Sequence, residues 1–517
     1  MEIAVHKKPI KDSTMKKFRP TKLLIAAVLV ALPGWATALD EVSQETLKSI
    51  SIADEVKTDF GTLEFFDGVP TDATINKLYD NLDRSRGVQA YLDNVAGVSI
   101  QGVLDGLGRA GADAPNKIAL FGALMDSKSM VLTANTSTLY AYAGTDLGND
   151  GPTVIEIPPG MLGFLDDAWQ RFVSDMGVTG PDKGKGGKYL VLPPGYTGAV
   201  PDGYFVLKPP TNRNFLFLRG SIAKGLEPAV ENIKSGLKIY PLKNAAKPAP
   251  TEFVNMSGKS FNTVFPNNLE YFEILDAMIQ REPIEAIGPE VRGTIASIGI
   301  VKGKPFAPDA RMKKLLTEAG TIGQATARAI TYHPRISGVK IYPDSDSGWT
   351  MGYANKNPSF EADGTMNLDA RVLFGFNAGG VTPSMAVTRA GAGSDYALGF
   401  LDANKKALDG SKTYKLHLPP NVPVNNFWAV TIYDTQSRSM LQTSQPFPTV
   451  GSQSKGFQKN ADGSYDVYFA PKAPAGKQDN WLATVPGKSW FAILRMYGPL
   501  EPWINKSWRP GEIELVK

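Results

Sequence analysis

Short apolar runs broken by glycine or proline set the tightest limit on what this chain can become. Between residues 117 and 218 the runs Met130–Thr133, Thr138–Ala143, Thr153–Ile157, Tyr189–Leu192, Tyr204–Leu207 and Asn214–Leu218 are separated by turn-forming segments. Strands of that length with frequent turns specify an antiparallel sandwich or barrel. Glycine and proline make up 51 and 38 of the 517 residues, well above the usual share of roughly 12%, which argues against a helical bundle.

The same pattern returns near the C-terminus. Tyr414, Leu416 and Leu418 alternate with Lys415 and His417, Phe427–Tyr433 follows, Asn460–Gly463 supplies a hairpin turn, and Trp490–Tyr497 is a last long strand. Two other regions read as helix. Ala73–Leu92 has helical spacing with a drift in phase at Gly87, and Asn267 or Asn268 caps a helix that Pro283 stops, with a further helix opening at Pro308-Asp309. The expected organisation is a helical lead-in at 39–116, a first β domain at 117–243, a Pro-Ala linker at 244–250, a helical connector at 251–336 and a second β domain at 337–517. The fold class is therefore mainly β with helical segments: two β-sandwich or jelly-roll-like domains joined by a helical block.

The net charge of +4 has a local origin, because residues 1–38 hold seven Lys or Arg against Glu2 and Asp12. This segment reads as a secretory signal: a basic start, the apolar run Leu23–Leu32, a Pro33-Gly34 break and Ala36-Thr37-Ala38 as cleavage site. Met1 and Met15 are both acceptable starts. Ten apolar residues fall short of the ~20 needed to cross a bilayer, so no permanent membrane anchor is expected and the address is periplasmic or secreted. With the basic surplus removed, no basic stripe remains to bind nucleic acid. The chain contains no cysteine, which excludes disulfides, thiol catalysis and thiolate metal sites.

Two sets of motifs carry a family resemblance. Asn135-Thr-Ser-Thr-Leu-Tyr140, Asp166-Asp167-Ala-Trp169, Pro193-Pro-Gly195 and Arg219-Gly220 resemble the bacterial domain of unknown function 1254. Leu408-Asp-Gly410, Tyr414-Lys-Leu-His417, Phe427-Trp428, Asn480-Trp-Leu482 and Arg495-Met-Tyr497 resemble its partner, the domain of unknown function 1214. The resemblance implies an exported protein of two strand-built modules and no particular activity. The family pattern has an acidic residue where Ser137 stands, so no acidic function transfers to that position.

No Gly-x-Ser-x-Gly, His-Glu-x-x-His or phosphate-binding loop is present. Trp428, Tyr433, Arg438, Asn480, Trp481 and Tyr497, with Asn135 and Tyr140, have the flat rings and hydrogen-bonding groups that suit a carbohydrate-like or amphiphilic small-molecule ligand in a cleft. The alternative is a hydrolase or lyase acting on a glycan, ester or envelope polymer, with Asp434, His417 and Arg495 as acid, base and charge stabiliser. No cofactor is required. The oxygen-rich turns Asp146–Gly151 and Pro343–Gly348 have the donor type that calcium takes.

Overall fold

The computed structural model describes residues 42–516, so the leader read at 1–38 and both candidate starts lie outside the described residues. The chain divides at Thr74 into two units. In the first, Gln44–Ile50 is a helix with Ser43 as its cap and no buried residue. Glu55–Thr58, Gly61–Phe66 and Val69–Pro70 make a three-stranded antiparallel sheet. Residues 55–70 are thus strands within a segment that the sequence reading assigned to helix. The signal for them is Asp67-Gly68, both at positive φ (47° and 83°), the two-residue turn that matches strand twist in a hairpin.

The second unit is organised around Asp72–Arg109, a 38-residue helix that starts just before the boundary. It continues through several glycines because other backbone comes too close for a side chain. A Cβ at Gly102 or Gly106 would lie 2.5 or 2.6 Å from the carbonyl oxygens of Thr263 and Asn262. Its middle (Ala90, Tyr91, Val95, Val98) packs with the helices Leu269–Arg281, Ala310–Tyr332 and Leu368–Asn377 in one apolar cluster. Asn268 and Asp309 cap two of these by accepting from the N–H groups of Glu270 and Met312.

Two sandwiches hold the rest. In each, a larger inner sheet packs on a four-stranded outer sheet. The first inner sheet has the strand order 252–255, 117–120, 139–146, 213–220, 162–167, 172–177; its outer sheet runs 205–207, 187–191, 153–157, 238–241. The second inner sheet runs 349–350, 394–399, 489–499, 424–434, 449–451, with 408–409 also paired to 489–499; its outer sheet runs 481–483, 465–470, 414–418, 513–515. Because Glu252–Asn255 pairs in parallel with Lys117–Leu120, the first sandwich draws a strand from beyond the 244–250 segment.

Alternation explains the layering. In the first inner sheet Leu139, Ala141, Leu216 and Leu218 face the outer sheet, while Tyr140, Tyr142 and Phe215 face the other way. In the second, Val430, Ile432, Ala492 and Leu494 face their outer sheet and Tyr433, Phe491 and Ile493 face away. The two outward sets meet each other in one cluster, joined by Ile100, Val103, Leu104 and Leu107 of the long helix. Inner strands buried on both faces read as nearly continuous apolar runs.

Glu282 fixes the helical block to the first sandwich. It is 2% exposed and accepts hydrogen bonds from the backbone N–H groups of Asn212 (2.5 Å) and Arg213 (3.0 Å), at the start of the strand that ends at Gly220. Burial pushes its pKa up from 4.5 to about 7, against the pull of those N–H groups and of Arg213. The folded chain therefore retains a proton that the unfolded chain loses. This contribution to stability is fully present below pH 4.5 and lost as pH rises through 7. Urea unfolding from pH 4.5 to 8 will show a decline from this group on the order of 3 kcal/mol at most, and Glu282→Gln will flatten it; an unchanged slope in the variant would contradict the assignment.

Candidate functional site

The layer between the two inner sheets holds a partly open cavity of about 130 Å³. Phe164, Phe217, Tyr140 and Tyr142 form one wall, and Tyr396, Leu398 and Ile493 the opposite one. Val103 of the long helix, Leu373 and Phe374 of the helix Leu368–Asn377, and the loop Asn377–Gly380 complete it. Phe164 and Phe217 stack at 4.8 Å with 11° between ring planes, and Tyr140 meets Phe217 edge-on at 5.2 Å.

The loop is held closed by buried polar groups. Asp166 is fully buried, its Oδ2 accepts the Val381 N–H at 2.7 Å, and burial pushes its carboxyl well above the ordinary range. Thr133 Oγ1 donates to the Asn377 carbonyl at 2.8 Å, and Asn377 Nδ2 donates to Thr331 Oγ1 at 2.9 Å. Thr133 itself has φ of 43°, a costly conformation for a β-branched residue, of the kind that collects at functional sites.

Two arginines stand in this wall. Arg219 continues the alternation of Phe215 and Phe217 and lies opposite Tyr140 on the next strand; Arg495 continues Phe491 and Ile493 and lies opposite Tyr396. They are 7% and 3% exposed. Arg495 Nη1 donates to Tyr433 Oη at 2.5 Å and Nη2 to the Thr133 carbonyl at 2.6 Å, and its guanidinium lies 5.8 Å from the Tyr396 ring centre. Nε of each arginine has no partner, and neither does the buried Tyr497 hydroxyl or Asn377 Oδ1.

No carboxylate forms an ion pair with either arginine among the described residues. Burial works against both charges, but an arginine in a protein stays protonated at pH 7, and the direction for both guanidiniums is upward, through the oxygens of Tyr396 and Tyr140 beside Arg219 and of Tyr433 and Tyr497 beside Arg495. Burial raises Tyr140, Tyr433 and Tyr497 in turn, so these remain neutral phenols at pH 7. The result is two full positive charges inside an apolar layer, each of which costs several kcal/mol to desolvate.

Of the residues singled out from the sequence, the structure brings Asn135, Tyr140, Tyr433, Arg495 and Tyr497 to this layer. Asn135 lines the cavity and shapes the turn that follows it, its Oδ1 accepting the N–H groups of Ser137 (2.8 Å) and Thr138 (3.1 Å). Tyr433 Oη donates to the Ala134 carbonyl at 2.6 Å, and Tyr497 stacks on Phe427 at 4.0 Å.

The others lie elsewhere. Trp428 is 2% exposed inside the second sandwich, against Phe457 and Tyr465. Trp481 Nε1 donates to the Ala470 carbonyl, and Asn480 bridges Gln458 and Asp466. His417 pairs with Asp466 at 2.8 Å on the outer sheet. Arg438 stacks 3.9 Å from the Phe376 ring centre and donates to the Phe376 carbonyl; burial lowers its pKa to about 10. Asp434 ends its strand, accepting from the N–H groups of Gln436 and Ser437 and from Lys488 Nζ at 2.5 Å; despite burial, Lys488 and these N–H groups hold it below the usual carboxylate range. Asp434, His417 and Arg495 thus have separate sets of partners.

The two oxygen-rich turns are also engaged: Asp146 caps the short helix Leu147–Asp150, and the Ser347–Gly348 turn binds Glu512. Among the described residues no group of three or more His, Asp or Glu is placed to hold a metal ion. No helix among them is long and apolar enough to cross a membrane.

Fold and cavity together define a double-sandwich protein with an internal pocket built by both halves. Residues 115–241 match the family described as protein of unknown function DUF1254, and residues 393–501 match protein of unknown function DUF1214, in the order that the sequence motifs indicate. No curated protein matches the chain. Among solved structures, the VPA0106 protein from Vibrio parahaemolyticus is similar at 18% identity and a TM-score of 0.48, over 84% of this chain and 100% of that one. An uncharacterized protein from Burkholderia cenocepacia is similar at 13% identity and a TM-score of 0.38, over 85% and 96%.

Phe164, Phe217, Arg219, Tyr353 and Tyr396 were not singled out as ligand-binding from sequence. The available signal was Phe215-x-Phe217-x-Arg219, a cation on the apolar face of a strand. Replacing Asp434 by Ala will lower stability by about 2 kcal/mol, through loss of two turn hydrogen bonds and an ion pair, and will leave occupancy of the cavity unchanged; chemical denaturation and ligand titration of that variant check both parts.

Proposed function

We propose that this protein binds a small amphiphilic molecule in the cavity between its two inner sheets, and that it does so outside the cytoplasm. The observation that carries the reading is the lining: aromatic and aliphatic on most sides, with the two arginines and a few amide and phenol groups as its polar part. Apolar cavities near 150 Å³ admit a benzene-sized molecule, which is the scale of this one. Of the two ligand classes that the sequence suggests, an amphiphile suits this lining better than a carbohydrate, whose hydroxyls would need many more partners.

Binding is favoured over hydrolysis or lysis because no Asp, Glu, His, Lys or Ser lines the cavity. General acid–base work near neutral pH is done most often by an imidazole or carboxyl group, and burial moves the Tyr140 and Tyr142 phenols of the lining further from that range. Export is supported by the composition of residues 1–38.

Gly379 offers a direct test. It lines the cavity, and a Cβ built on it meets nothing within 4 Å. Gly379→Leu will fill the space, remove the thermal stabilisation that small aromatic and six-carbon alkyl compounds give the parent protein, and change stability without ligand by less than about 1 kcal/mol. Equal stabilisation of parent and variant by such compounds would place their site elsewhere.

A further inference from the structure

We infer that the ligand of this cavity is a small carboxylate, its head held between Arg219 and Arg495 and its body against Phe164 and Phe217. The inference deepens the proposed binding function and rests on it. Three observations lead there.

The first is charge. Both guanidiniums are more than nine-tenths buried, line the cavity, and have no anionic partner among the described residues. Asp166, which bonds the Val381 N–H beside the cavity, makes no ion pair with either, and burial pushes its carboxyl well above the ordinary range. Buried charges are ordinarily paired; here each sandwich delivers one cation to the same apolar layer, and an anion entering between them satisfies both.

The second is the hydrogen-bond inventory. Arg219 Nε, Arg495 Nε and Tyr497 Oη are all buried donors without partners, and Tyr497 lies within electrostatic reach of both guanidiniums. At Arg495 each Nη atom already makes a hydrogen bond, to Tyr433 and to the Thr133 carbonyl, and Nε is the guanidinium nitrogen left without a partner. A carboxylate has two acceptor oxygens, one for each free Nε–H, with lone pairs left for a hydroxyl donor.

The third is the remaining lining. The stacked pair Phe164 and Phe217, with Leu373, Phe374 and Leu398, offers apolar contact and no further charge. A ring or short alkyl chain fits that part, and a second charged group would be stranded in it.

Isothermal titration of the whole protein against matched pairs, benzoate with benzyl alcohol and hexanoate with hexan-1-ol, tests the assignment without any variant. At least one acid will bind about tenfold or more tightly than its alcohol, the difference that 1.4 kcal/mol represents. Arg219→Met, which keeps the apolar stem, will remove that preference while melting no lower than the parent, because it deletes an unneutralised buried charge; a merely structural arginine would lower the melting temperature when replaced. Acid and alcohol binding equally well would overturn the carboxylate assignment and leave the amphiphile site standing. Chloride or inorganic phosphate stabilising the protein as well as benzoate would overturn it too. Failure of all four probes to bind would remove both the assignment and the binding function beneath it.

Discussion

The contact between the two inner sheets is the constraint on which the rest of the second unit depends. Each inner sheet buries one face against its own outer sheet, and the two remaining faces, rich in Tyr and Phe, have to be removed from water as well. They are removed by meeting each other around the C-terminal half of the long helix. An apolar layer of this kind tolerates polar groups only when they are paired. Tyr433 obeys the rule by bonding the Ala134 carbonyl, and Arg438 largely does so through backbone carbonyls and a ring face. Arg219 and Arg495 depart from it in part, each with an unpartnered Nε and no carboxylate beside it among the described residues, at the lining of the cavity.

That departure links the two halves of the molecule. Arg219 lies in the stretch that matches DUF1254 and Arg495 in the stretch that matches DUF1214. Arg495 also crosses the layer to bond the Thr133 carbonyl, so the second sandwich holds a strained residue of the first in place. Neither sandwich makes the pocket alone. The Asn377–Gly380 loop lines it, anchored by Asp166 through the Val381 N–H and by Thr133 and Thr331 through Asn377.

Much of the architecture was legible in the sequence, for identifiable reasons. The helix caps at Asn268 and Asp309 and the strand Tyr414–Leu418 are local features, and the alternation of Tyr414, Leu416 and Leu418 needs only one sheet face to be buried. The Glu55–Pro70 sheet was missed because its strands are short and sit beside a strong helical pattern, although Asp67-Gly68 marks its turn. The site was harder. Trp428 and Trp481 have side chains suited to ligand contact, yet one fills a core and the other bonds backbone; sequence alone does not distinguish a ring facing a groove from a ring facing the opposite sheet. Arg495 and Tyr433 were legible as polar groups on apolar strands. Their convergence with Arg219 was not, since it depends on two sheets far apart in sequence packing face to face.

Diffraction from crystals soaked in 4-bromobenzoate, collected at the bromine absorption edge, tests the central claim most directly. A bromine peak among Phe164, Phe217 and Phe374, with the carboxylate reaching Nε of both Arg219 and Arg495, is the predicted result. Bromine found only on the protein surface, or in the cavity with the carboxylate turned away from both guanidiniums, would contradict it.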